Sequence, residues 1–88
     1  MDLPSEFNEL YIEVHYIDSN SFAWRGTMVL PKIVLSPSTA RRFYAGYYYT
    51  DSNKFSAGFN ATTSNITIVG AKYNGGSDVN VKVTVYYR

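Results

Sequence analysis

Cysteine is absent from the 88 residues, so no disulfide and no thiolate metal site can hold this chain together. Charge is scarce as well: eight Lys and Arg against seven Asp and Glu leave a net charge of +1. That is too little for a polyanion binder driven by counterion release, and no nucleic-acid partner is expected. Arg41 and Arg42 are adjacent but belong to no basic tract. No apolar run approaches the ~20 residues of a membrane-spanning helix, so no membrane insertion is expected. The opening MDLPSEFNEL lacks the apolar stretch of a signal peptide. A single histidine, His15, is too few for a histidine metal cluster and is the only base a Ser-His-Asp triad could use. No metal, no cofactor and no catalytic residue is expected.

What is present is tyrosine, nine of 88 residues. Its ring favours strands, and its hydroxyl suits faces that lie partly in water. Period-2 alternation recurs along the chain, while a helical period does not. Glu9–Ile17 sets Leu10, Ile12, Val14 and Tyr16 against Tyr11, Glu13 and His15. The turn formers Asp18 to Ser21 then predict a hairpin with Phe22–Leu30, in which Phe22, Trp24, Thr27 and Val29 break strict alternation. Gly26 sits at the phase change, where a β-bulge is expected. Lys32–Leu35 is short and apolar, and Ser38 is placed to cap a single helical turn over Thr39–Arg42. Arg42–Thr50 and Lys54–Asn60 predict a second hairpin around Asp51-Ser52-Asn53. Asn65–Tyr73 follows, then Asn74-Gly75-Gly76-Ser77, the strongest turn signal. The last strand, Val79–Tyr87, sets Val79, Val81, Val83 and Val85 toward a core, with Asn80, Lys82, Thr84 and Tyr86 opposite.

Six or so short strands predict one all-β domain over residues 1–88, a small antiparallel β-sandwich of jelly-roll-like type. A domain this short buries about 60–65% of its unfolded surface, so association with further copies is a natural supplement to its core.

Chemistry is sparse. His15 lies mid-strand on one face with Glu13, which fits a cross-strand pair better than catalysis. Asp18, Asp51 and Asp78 all fall in turns, where aspartates hydrogen-bond their own backbone, and nothing local pairs two carboxylates as a glycosidase requires. Asn60-Ala61-Thr62 and Asn65-Ile66-Thr67 match the short glycosylation pattern. Tyr47-Tyr48-Tyr49, with Tyr44 and Trp24, forms either an aromatic binding platform or a core and subunit contact.

Three stretches carry a resemblance: Leu3-Pro4-Ser5-Glu6-Phe7-Asn8-Glu9-Leu10, Phe43-Tyr44-Ala45-Gly46-Tyr47-Tyr48-Tyr49-Thr50, and Val83-Thr84-Val85-Tyr86-Tyr87-Arg88, with Pro31, Leu35-Ser36 and Tyr73-Asn74-Gly75 between them. Together they are similar to the C-terminal domains of tail-fibre or minor structural proteins from phages and prophages of Gram-positive bacteria. The resemblance implies a β-sandwich, the C-terminal piece of a longer fibre protein, associated as a homotrimer at a fibre or baseplate tip. It would act in the virion, outside the host cell, against a bacterial surface glycan or protein. Binding residues concentrate on loops, so the expected contact set is Trp24, Tyr48, Asp51, Asn53, Tyr73, Asn74 and Asp78. The alternatives are a purely structural trimerisation or folding cap, and a polysaccharide-degrading domain.

Overall fold

A computed structural model describes residues 1–18, 21–50, 53–74, 76 and 78–88, with the side chains of residues 47–50 and 53 outside the description. Among the described residues six strands follow in order: β1 (Glu9–Ile17), β2 (Ala23–Pro31), β3 (Arg41–Thr50), β4 (Asn53–Ala61), β5 (Ile66–Tyr73) and β6 (Lys82–Tyr87). They form two antiparallel three-stranded sheets, ordered β2-β1-β6 and β3-β4-β5, which pack as a small sandwich.

Alternation decides which face turns inward. On β1, Leu10, Ile12 and Val14 are fully buried, and Leu30 of β2 joins them. The opposing sheet contributes Phe55 and Phe59 as bulk, with Ala45, Ala57, Ala61 and Ala71 around them. Branched aliphatics on one sheet thus meet two phenyl rings on the other, and the alanines allow the close approach. Each large buried side chain contributes about 1.5–3 kcal/mol.

Three local expectations need correction. First, Gly26 carries no bulge: it pairs with Val14 in an unbroken register that runs from Glu9–Pro31 to Ile17–Ala23. β2 alternates strictly, with Trp24, Met28 and Leu30 turned toward the core while Thr27 and Val29 face out. Glycine is needed at 26 because a Cβ there would lie 2.9 Å from the backbone nitrogen of Gly46 in the facing sheet. Register shifts lie elsewhere: in β3, between Tyr48 and Thr50, and in β5, where Gly58 pairs with Gly70 but Phe59 pairs with Ile68, leaving Val69 as the extra residue. Second, no helical turn covers Thr39–Arg42. Arg41 already begins β3, and Ser36 makes the local turn, its Oγ accepting from the backbone N–H groups of Ser38 and Thr39. Among the described residues the one helical element is a 3-10 turn at Lys32–Val34. Third, the closing strand is shorter than its pattern. Residues 78–79 lie against the end of β5, with the Val79 N–H donating to the Ala71 carbonyl at 2.9 Å. Pairing to β1 starts only at Lys82. Val79, Val81, Val83 and Val85 accordingly pack on the rim of the core and are half-buried.

Among the described residues no helix is long and apolar enough to cross a membrane, and no group of three His, Cys, Asp or Glu side chains is placed to hold a metal ion.

Candidate functional site

Two of the surfaces built by residues from different strands include expected contact residues. One is the end of the sandwich at the β1–β2 turn. Asp18 is buried there although it carries a carboxyl group. Its Oδ1 accepts the Phe22 backbone N–H at 3.0 Å, the local turn bond expected of such a residue. Its Oδ2 accepts the Trp24 indole N–H at 3.0 Å and the Tyr73 hydroxyl at 3.3 Å. Tyr16 stacks on Phe55 at 5.8 Å and meets Tyr73 at 5.3 Å, and Trp24 meets Tyr73 edge-on at 5.3 Å. Two of the expected contact residues, Trp24 and Tyr73, are therefore brought together. Their polar tips are already bonded to a carboxylate of the same chain, so what they secure first is the closure of the sandwich.

Asn74 stands next to this cluster and also does structural work. It is held at φ 56°, its backbone N–H donates to the Lys54 carbonyl at 2.8 Å, and its side-chain oxygen accepts the Lys54 N–H at 2.9 Å. Asparagine tolerates the left-handed region better than other non-glycine residues. Asn74→Ala is expected to cost about 1–2 kcal/mol, with Asn74→Gly losing less because it relieves the backbone while forfeiting the side-chain bond. Urea denaturation of the two variants checks that order. Asp51 falls outside the described residues, as do the side chains of Tyr48 and Asn53.

The second surface is the outer face of the β3-β4-β5 sheet. Register aligns three cross-strand rows on it: Arg42–Asn60–Thr67, Tyr44–Gly58–Gly70, and Gly46–Ser56–Lys72. The middle row has two glycines for a floor. A Cβ on Gly58 would meet the Tyr44 ring at 3.2 Å, and a Cβ on Gly70 would meet the Asp78 carboxylate at 2.9 Å. A trough of about 310 Å³ results, lined by Arg42, Tyr44, Ser56, Lys72 and Asp78 over the glycines. Tyr44 is 67% exposed, and the Arg42 Nε donates to the Asn60 side-chain oxygen at 2.6 Å, which orients the guanidinium along the row. A flat ring, one carboxylate acceptor, two cationic donors and a hydroxyl thus converge on one floor. That combination can stack an apolar ring face while donating to and accepting from hydroxyl groups.

Of the expected contact residues whose side chains are described, only Asp78 lies here. Arg42, Ser56 and Lys72 were missed because none is unusual in its own segment. The legible signal was Tyr44 and the small residues at alternate positions, Gly46 and Ser56-Ala57-Gly58; seeing them as one trough required the register and the shift at Val69. A shelf beside Phe22, Ala23, Trp24 and Arg25 is larger but comes from four consecutive residues of one hairpin, so it lacks groups converging from separate strands. No family model matches this chain, and neither a curated protein nor a solved structure is significantly similar to it.

Proposed function

We propose that this chain is a non-enzymatic binding domain of a phage fibre or baseplate tip, and that it holds a host-surface glycan in the trough between Tyr44 and Asp78. The observation that carries this reading is the Tyr44–Gly58–Gly70 row, in which an exposed aromatic ring lies over one glycine and a carboxylate over the next. A pyranose offers one apolar face to a ring and a rim of hydroxyls to Asp78, Lys72 and Arg42. At about 310 Å³ the trough matches the small end of ligand sites, enough for one or two sugar units. A glycosidase needs two carboxylates flanking the scissile bond, and the trough has one, so binding is favoured over cleavage.

The test is a glycan array probed with the domain, followed by calorimetry on the best ligand. Tyr44→Ala should weaken binding by about tenfold or more, or ~1.4 kcal/mol, with melting temperature nearly unchanged. Phe22→Ala, on the other aromatic surface, should leave affinity intact. Binding that survives Tyr44→Ala but is lost with Phe22→Ala would move the site to the turn end and defeat this assignment.

A second reading, a structural cap within a fibre, draws on a different face. Tyr11, Val29 and Tyr86 are exposed together in one cross-strand row on the outside of the β2-β1-β6 sheet, with Tyr11 and Tyr86 rings 5.9 Å apart. A glycan array with no positives would favour it.

A further inference from the structure

Among the described residues β6 has a strand neighbour on one side only. Its hydrogen-bond phase follows from the end of the ladder, where Glu9 and Arg88 exchange backbone bonds at 3.2 Å. Pairs alternate along an antiparallel ladder, so Tyr86, Thr84 and Lys82 bond to β1 through Tyr11, Glu13 and His15. The N–H and C=O groups of Val83 and Val85 point the other way, out of the sheet edge. Their side chains line an apolar groove of about 340 Å³ together with Phe59, Ile66 and Ile68. The facing edge, β5, is covered at both ends by this chain. Met1 exchanges backbone bonds with Ile66 at 2.9 and 3.0 Å, and the Val79 N–H donates to Ala71. β6 has no such cover among the described residues, and neither a proline nor a bulge interrupts it.

We infer that β6 pairs antiparallel with β6 of a second copy, joining two sheets into one of six strands across a two-fold axis at Thr84. This goes beyond the glycan reading and does not depend on it. Complementarity selects the occupant and the register. With the axis at Thr84, Val83 of one copy bonds Val85 of the other, and these valines close the groove on the inner face. On the outer face Thr84 meets Thr84, and each Lys82 stands opposite the other copy's Tyr86 ring, a cation facing an aromatic face rather than a like charge. Moving the axis one residue on, to Val85, would set Lys82 against Arg88. Moving it one residue back, to Val83, leaves Tyr86 opposite Asn80. The symmetry is two-fold, whereas the resemblance drawn from the sequence implies three copies.

The absence of cysteine makes the test direct. Thr84 would occupy a non-hydrogen-bonded pair with Cα atoms about 4.5 Å apart, within disulfide range. Under mild oxidation Thr84→Cys should convert to a covalent dimer, while Thr27→Cys, exposed on the same sheet face but on the opposite edge strand β2, should stay largely monomeric. By sedimentation the unmodified chain should run at twice its 10.0 kDa mass. Val85→Pro, which removes an outward N–H and spares the β1 ladder, should halve that mass while keeping the strand circular dichroism. A monomeric or trimeric parent chain, or equal cross-linking of the two cysteine variants, would overturn the pairing. If Val85→Pro does not fold, the cysteine comparison decides alone. Loss of glycan binding in Tyr44→Ala leaves all of these readouts unchanged, so the two proposals fail separately.

Discussion

Asp18→Ala is expected to lower the unfolding free energy by about 3–4 kcal/mol and the melting temperature by roughly 15 °C or more. Among the described residues the substitution strands the Phe22 N–H, the Trp24 indole N–H and the Tyr73 hydroxyl at once. A buried donor left without a partner costs about 1–3 kcal/mol. Trp24 and Tyr73 are half-buried, so water recovers part of each loss, and the low end of that range applies. Asp18→Asn retains one acceptor oxygen and should lose about half as much. Trp24 is the only tryptophan, so its emission reports the same event: a red shift in the alanine variant as the indole loses its bond and gains water. A melting temperature within a few degrees of the parent would show that the carboxylate does not hold this end together.

The second large effect is at Gly26, where two arguments give opposite signs. Glycine is a poor strand residue, and a valine in mid-strand would ordinarily stabilise by up to about 1 kcal/mol. Here a Cβ would sit 2.9 Å from the Gly46 nitrogen and 3.1 Å from the Ala45 carbonyl carbon and the Gly46 Cα. These are backbone atoms of β3, which cannot swing aside as a side chain can. The sheets must separate, or β2 must shift against β1, and the contacts of Ala45 with the core go with them. Gly26→Val is therefore expected to destabilise by about 3 kcal/mol. Gly26→Ala makes the same Cβ contact with β3 but adds no γ-methyl groups, so it should lose less than valine while still destabilising. Thermal denaturation of the pair settles the sign; a Gly26→Val variant as stable as the parent would mean the sheets do not approach so closely there.

The two sites differ in how much of them could be read from the chain. The Asp18 side chain bonding its own turn follows from residue type and spacing, and that bond is present. Its bond to Tyr73, 55 residues away, does not. Trp24 and Tyr73 were singled out as binding residues for being aromatic and near turns; their shared acceptor shows that turn position also serves closure of the fold. Gly26 was noticed, and its meaning changed: a strand glycine marks either a bulge or a close approach, and only the packed partner distinguishes them.

By itself the chain determined that it would be all-β, where most strands run, and which residues of a strand share a face. Period-2 alternation is a local property and needs no partner to be read. The tertiary structure decided what depends on neighbours: the order β2-β1-β6 and β3-β4-β5, the register shift at Val69, the trough that joins Tyr44 to Asp78, and the open edge of β6. Each requires residues distant in sequence to fall into one cross-strand row. A one-residue change of register reverses every face in a strand, so rows of this kind exist only once the sheets have paired.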